Sequence, residues 1–186
     1  MLPGHYQLRL TGHGKALTTA LEVVLDPRLK VPAQEQSDLF DLATRTAADI
    51  GELHKAVNQL RSTRSRLETI KKWSVGNAGA KGVIDAADAL EKKMAPIEGR
   101  LIQVKLAASE DNLRYPNMLN EQYDAFSSTL DGEDYGPTQP QRQVFASLHA
   151  ALAEELNRWH ALASTELPAL QNQMRDHGIP SIVEGQ

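Results

Sequence analysis

Near the N-terminus, hydrophobic and polar residues alternate with a period of two, which is the pattern of a half-buried β-strand. Two such runs fall between positions 5 and 25, and the segment 12–15 between them (Gly-His-Gly-Lys) has the composition of a tight turn. The segment 26–28 (Asp-Pro-Arg) ends the second run because proline cannot donate a hydrogen bond to a β-ladder. The pattern predicts a β-hairpin whose apolar positions are Tyr6, Leu8, Leu10, Leu21, Val23 and Leu25.

A hairpin of two strands is marginal in water, and its open edges need a cover from the helices, from another chain or from further strands. We therefore predict that the hairpin offers a strand-pairing interface. The simplest form is a two-fold dimer through residues 5–25. The interface residues that we expect are Leu8, Leu10, Leu21, Val23 and Leu25.

From about Ala33 the hydrophobic period changes to alternating steps of three and four, which is typical of a helix face. A first helix of about forty residues is predicted, and glycines in the segment 76–82 end it. Its apolar seam consists of Leu39, Ala43, Thr46, Ile50, Leu53, Val57, Leu60, Arg64 and Leu67. A second seam predicts a helix with a kink at Pro96, and it contains Val83 or Ile84, Ala87, Leu90, Met94, Ile97, Leu101, Val104 and Ala108.

Two further helices are predicted after a turn at 112–116 (Asn-Leu-Arg-Tyr-Pro). The third is short and carries Leu119, Tyr123, Phe126 and Leu130. The fourth begins near Pro140, is kinked or re-capped at Pro168, and ends at 178–180 (Gly-Ile-Pro). Its apolar face consists of Phe145, Leu148, Leu152, Leu156, Trp159 and Leu162. The predicted fold is mainly α: an up-and-down four-helix bundle over residues 31–186, with kinked helices and a short third helix, preceded by a hairpin over residues 1–30.

Composition narrows the classes of function. The apolar fraction of 41% can form a core, and the aromatic fraction of 5% suits packed helices. A net charge of −4 indicates neither a nucleic-acid nor a membrane partner, and no apolar run is long enough for a membrane span. The segment 1–4 (Met-Leu-Pro-Gly) predicts no secretory signal on this chain. Because the chain has no cysteine, it has no thiol nucleophile and no metal–thiolate site.

The sequence predicts no catalytic, cofactor or metal site. No glutamate lies three residues before a histidine, as a di-iron site requires, and His149 and His160, three turns apart on one helix, are interpreted as solvated or core-edge residues. The glycines of the segment 76–82 lack the spacing of a phosphate-binding loop. A hydrolase site in the loop 131–140 is the least favoured alternative, and it would use Asp131, Glu133, Asp134 and Tyr135.

The first predicted helix also carries the strongest local charge bias in the chain. Its usual explanation is a solvated helix face, with Arg64 on the apolar seam paired to a carboxylate of a facing helix. The alternative is an interaction surface for an acidic partner. The residues of this basic cluster are Arg61, Arg64, Arg66, Lys71 and Lys72.

Several segments resemble the C-terminal region of large bacterial proteins with sialidase-type (BNR) repeats, often labelled sortilin-like or glycosyl-hydrolase-like. The resemblance covers nearly the whole chain, and its segments are 3–10 (Pro-Gly-His-Tyr-Gln-Leu-Arg-Leu), 14–15, 21–23, 26–28, 53–61, 112–116, 137–138 and 143–145. In that family β-propellers precede a small β-sandwich and a helical tail, and its members are exported. The resemblance implies that residues 1–30 are the last strands of an immunoglobulin- or fibronectin-III-like sandwich, with Tyr6 in a tyrosine-corner role.

The resemblance places any hydrolytic or peptide-binding site in the propellers, so no catalytic residue carries over to this chain. We therefore expect a non-catalytic accessory module, a helical tail that packs on its own propellers or mediates assembly. A free-standing helical binding protein is the alternative.

Overall fold

The structure is a computed structural model that describes residues 2–77 and 79–179, with only the backbone of Ser109. Met1, Ala78 and Pro180, which belong to segments discussed above, lie outside the described residues. The predicted fold class, a mainly helical four-helix bundle with an N-terminal two-stranded hairpin, is confirmed. A short 3-10 helix spans Ser109–Leu113. The main elements are β1 (Gly4–Gly12), β2 (Lys15–Val23), α1 (Ala33–Ser74), α2 (Ala80–Leu101), α3 (Leu119–Asp131) and α4 (Gln139–Asp176).

The hairpin has a regular antiparallel register that begins at the pair Gly12–Lys15. His13 and Gly14 form the two-residue turn and have φ angles of 48° and 73°. Two left-handed residues in succession match the right-handed twist of the strands, and this explains why a glycine is found there. After β2, the Asp26 carboxylate accepts hydrogen bonds from the backbone and guanidinium of Arg28, within the segment predicted to end the second strand.

The helices form three columns because α2 and α3 lie one after the other along α1. Arg64 of α1 pairs with Glu98 near the end of α2. Asp49, nearer the start of α1, accepts a hydrogen bond from Tyr123 of α3. Trp159 of α4 bonds to Gln59 of α1. Together with the other interhelical pairs, these contacts show that α2 and α3 run antiparallel to α1, and that α4 runs parallel to it. Chain direction therefore reverses after α1 and after α3 but not between α2 and α3, so the helices do not alternate strictly up and down as predicted.

The predicted seams supply most of the core. Arg64 is the exception on α1, and its guanidinium pairs with Glu98 as expected for a charge on the seam. On α2 the buried residue at the first position is Val83, not Ile84. The largest fully buried side chains are Tyr123, Leu53, Leu60, Leu67, Leu90, Met94, Leu101, Leu152, Met174, Val83, Thr46 and Ser74.

The second helix is shorter than its apolar seam predicted. It ends at Leu101, and Val104 and Ala108 are exposed. The chain leaves the helix where Gln103 is held by α3 and by the segment before it: its backbone N–H donates to the Glu121 carboxylate at 3.2 Å, and its side chain donates to the Pro116 carbonyl at 2.9 Å.

Neither helical proline ends its helix. α2 continues through Pro96, and α4 continues through Pro168 to Asp176, so the re-capping alternative at Pro168 was wrong. The start of α4 is capped by Thr138, whose hydroxyl accepts from the Gln141 N–H while the Gln141 side chain accepts from the Thr138 N–H. This reciprocal pair is a capping box.

Candidate interaction surface on the hairpin

The strand register collects the apolar residues of the hairpin on one face. Directly opposite residues of antiparallel strands point to the same side, and the pairs Tyr6–Leu21, Leu8–Thr19 and Leu10–Leu17 alternate with polar pairs such as Arg9–Thr18. The apolar face of the hairpin therefore consists of Tyr6, Leu8, Leu10, Leu17, Thr19, Leu21 and Val23.

This apolar face becomes more exposed toward the turn. Leu8 is 51% exposed, Leu10 72% and Leu17 70%, whereas Tyr6 and Leu21 nearer the bundle are half-buried. Within the described ranges, the backbone of the strands stays apart from that of the helices, and Val23 at the end of β2 lines a cleft with residues of α1. An exposed leucine is ordinary, but three adjacent ones on one face of a projecting hairpin are typical of an interaction site.

Both edges of the hairpin are also open among residues 2–77 and 79–179, where its sheet has two strands. The edge of β1 carries His5 and Arg9, while β2 has no charged residue from Ala16 to Leu21. Charged side chains on an edge strand discourage pairing with another strand. The β2 edge is therefore the better template for a further strand.

A cleft of about 290 Å³ lies where the hairpin joins the bundle. Val23 and Leu25 line it together with Phe40 of α1. The end of α3 and the loop after it supply an acidic rim. The carboxylates of this rim are those of Asp131, Glu133 and Asp134. None of them has an ion-pair partner among the described residues. Three residues of the predicted hydrolase site thus line this cleft, whereas Tyr135 is exposed and does not line it.

The basic cluster of α1 is divided between two sides of the helix. Arg61 and Arg64 bind the buried Glu98 of α2 with N–O distances of 3.1 and 2.5 Å. Burial opposes ionisation of Glu98, but the hydrogen bonds from Arg64 and Arg61 outweigh it and hold the pKa of Glu98 below its usual value. These two arginines therefore serve the packing of α1 on α2.

Lys71 also contacts acids, namely Glu68 of its own helix and Asp88 and Glu91 of α2. The hydrogen bond to Glu68 is the main reason why the pKa of Lys71 is raised. Arg66 lines a different groove, between α1 and α4, and Lys72 is exposed. The structure therefore does not bring the five cations to one open face, and their role as an interaction surface stays a prediction.

The histidines of α4 lie in separate surroundings. His149 Nδ1 is 2.8 Å from the Asp49 carboxylate, which also accepts from the Tyr123 hydroxyl at 2.8 Å. Burial, followed by the bond to Asp49, raises the pKa of Tyr123. His160 lines the groove between α1 and α4. In the part of the chain that the structure describes, no three acidic or histidine residues are grouped as a metal site would need.

A comparison with known proteins gives no match to any family model, curated protein or solved structure. No helix in residues 2–77 and 79–179 is long and apolar enough to cross a membrane.

Sequence reasoning missed part of the interaction surface. Leu17 was not among the predicted interface residues, although it has the same parity as Leu21 on one strand and therefore shares its face. Phe40 was missed as well, because its place beside the hairpin depends on how the bundle meets Leu25. Leu25 itself follows the end of β2 and lines the cleft, so it does not belong to the paired strands.

Proposed function

We propose that this chain is a non-catalytic interaction module that binds a larger β-structure through the apolar face of its hairpin. The observation that carries the proposal is the exposure of Leu8, Leu10 and Leu17 side by side on one face. In this proposal the helices are the C-terminal tail of a protein with sialidase-type repeats, and the hairpin completes its β-sandwich.

The exposed leucines can supply useful binding energy. Complete burial of a leucine side chain contributes about 1.5–3 kcal/mol. The fractions of Leu8, Leu10 and Leu17 that are still exposed would therefore contribute on the order of 3–6 kcal/mol when a second sheet covers them. The main-chain groups of an open strand edge add hydrogen bonds.

The charges of the bundle support an accessory role. Glu98 and Lys71 are ionisable groups that could suggest a reactive site, but each is bound by opposite charges across the α1–α2 interface. Their contacts are those of helix packing. The bundle then serves as a stable base that holds the hairpin away from the helices.

A second candidate function is the binding of a partner helix between α1 and α4. A groove of about 790 Å³ lies there, with Lys55, Arg66 and His160 among its lining residues and Trp159 at its side. The groove is lined on α1 by small residues such as Gly51 and Ser62, whose short side chains leave this space open. An acidic amphipathic helix fits this groove by size and charge.

A face-specific crosslinking experiment tests the hairpin proposal. A photo-crosslinking amino acid is placed at Leu17 on the apolar face and, as a matched control, at Thr18 on the opposite face. In cells that produce the full protein, position 17 should crosslink to one β-rich region of its own polypeptide or of one protein partner, identified by mass spectrometry. Equal crosslinking from both positions, or none from either, contradicts the proposal.

A further inference from the structure

We propose that the partner of the β2 edge is a second copy of this chain, paired antiparallel about a two-fold axis at Thr19. This inference rests on the proposed function, in which the hairpin is the interaction site, and it adds the identity of the partner and the register. The apolar face and the β2 edge are separate surfaces, so one hairpin can use both.

The choice of β2 follows from the charges on the two edges. A strand that pairs with its own copy must place its middle residues opposite one another. On β1 the long, charged side chain of Arg9 lies within the strand, and charged edge residues hinder such pairing. On β2 the charged residues Lys15 and Glu22 lie near the two ends, and the residues between them are neutral.

The backbone of β2 supports the register about Thr19. Gly12 and Lys15 flank a two-residue turn, so their backbone groups bond to each other. Alternation then directs the backbone groups of odd-numbered β2 residues toward β1 and those of Ala16, Thr18, Ala20 and Glu22 outward. In a two-fold pairing at Thr19, Thr18 lies opposite Ala20 of the second copy, and the outward groups of both form hydrogen bonds.

The side chains in this register are also complementary. Leu17 lies opposite Leu21 of the second copy, and the two Thr19 residues face each other, on the apolar side of the sheet. Cross-strand pairs of aliphatic residues and of threonines stabilise antiparallel sheets. No pair of like charges is opposed.

Electrostatics favours the antiparallel arrangement as well. Lys15 is at the turn end of the hairpin, and the acidic rim of Asp131, Glu133 and Asp134 is at the opposite end. The register about Thr19 places Lys15 opposite Val23 of the second copy, and Val23 lines the cleft with that rim. In the proposed dimer, Lys15 of each copy therefore lies near the three carboxylates of the other copy. This attraction favours the register about Thr19 over other registers.

A single-cysteine experiment tests the register. The chain has no cysteine, so Thr19→Cys introduces one thiol. In the proposed dimer the two positions form a non-hydrogen-bonded pair with Cα atoms about 4.5 Å apart, which is within the range of a disulfide. With added oxidised glutathione as oxidant, Thr19→Cys should form a covalent dimer. The matched control, Thr11→Cys on β1, should not.

A charge exchange tests the contact between the turn and the acidic rim. Lys15→Glu and the double variant Glu133→Lys/Asp134→Lys should each raise the dimer dissociation constant by about tenfold or more at low salt, because like charges then meet twice. An equal mixture of the two variants should associate as tightly as the unmodified chain. Lys72→Glu, an equal change of charge on exposed α1, should have no effect.

The outcomes separate this inference from the proposed function. A chain that sediments as a monomer at every concentration, or a Thr19→Cys variant that crosslinks no better than its control, overturns the two-fold pairing. Loss of association in both charge variants without recovery in the mixture overturns the alignment. In each case the crosslink from Leu17 to another β-structure would leave the proposed function standing.

Discussion

The hairpin and the bundle use the same type of residue in opposite ways. Leu60 of α1 is completely buried, whereas Leu10 of β1 is 72% exposed. The bundle encloses its apolar seams between its own helices, so it has a core without any partner. The hairpin displays its apolar face to the surroundings. This contrast supports the proposal that the helices provide stability and the strands provide binding.

The bundle and the hairpin also differ in how their charged side chains are paired. Within the bundle, Glu98 and Lys71 are bound by opposite charges across the α1–α2 interface. In the hairpin, Arg9, Lys15 and Glu22 form no ion pair with any described residue. Unpaired charges such as those of the hairpin can still align a partner.

The largest effect that we expect is the loss of a core leucine. Leu60→Ala should lower the free energy of unfolding by about 2–5 kcal/mol, because it leaves a cavity in the middle of the bundle. The matched change in the hairpin, Leu10→Ala, should cost less than about 0.5 kcal/mol. Chemical denaturation followed by the helical signal measures both, and equal costs would remove the distinction between the two regions.

A smaller effect is expected from the buried carboxylate. Glu98→Gln removes the charge that binds Arg61 and Arg64, and we expect a loss of about 1–3 kcal/mol at neutral pH. As a control, Glu154→Gln removes an exposed pair with Arg158 and should cost no more than about 0.5 kcal/mol. Similar losses in both variants would show that burial of the pair is unimportant.

The pH dependence of that loss has a definite sign. Because the pKa of Glu98 is lower in the folded state, the unfolded state takes up its proton first as the pH falls. The contribution of Glu98 is complete above the ordinary pKa of a glutamate, about 4.3, and decreases as the pH falls through the lowered value. The difference in unfolding free energy between Glu98→Gln and the unmodified chain should therefore shrink below about pH 4.

The next effect concerns the start of α4. Thr138→Ala removes the hydroxyl that accepts from the Gln141 N–H, and it should lower the unfolding free energy by about 1 kcal/mol. Thr138→Ser retains the hydroxyl and should restore most of the stability. Thermal unfolding of the three proteins tests this, and equal melting temperatures would show that the capping box contributes nothing.

Strong hydrophobic periods made the elements predictable from sequence. The hairpin was predicted from its two alternating runs and the turn between them, although its register was not, and the third helix was found with all four of its apolar residues buried. The end of the second helix was not predictable in the same way. Val104 and Ala108 continue the helical period, but hydrogen bonds from Gln103 to Pro116 and Glu121 turn the chain aside. Such bonds join residues far apart in sequence and leave no local signal.

The surface was only partly predictable for a similar reason. Alternation identified an apolar face, but it could not tell whether the helices cover that face.

The pairing of Arg61 and Arg64 with Glu98 depends on the axial alignment of α1 and α2, which is fixed by packing and by the connection between them. Gly79 of this connection has a φ of 83°, and a side chain there would collide with the ring of His177.

The smallest effect on stability is expected from the apolar face of the hairpin. Leu10→Ser/Leu17→Ser should change the unfolding free energy of the bundle by less than about 0.5 kcal/mol, because both side chains are largely exposed. The same variant should abolish the face-specific crosslink from a probe at Leu8.

Deletion of residues 1–30 extends this comparison to the whole hairpin. Because the bundle encloses its own core, the shortened chain should remain helical and cooperative, and light scattering should find it monomeric, whereas the full chain associates. The deletion also uncovers Phe40 beside the former position of Leu25, so a modest fall in melting temperature is expected. A shortened chain that unfolds would show that the hairpin is part of the folding unit, and one that still associates would place the interface on the helices. The first result would contradict the division into a stable bundle and a binding hairpin. The second would favour the groove between α1 and α4 as the binding site.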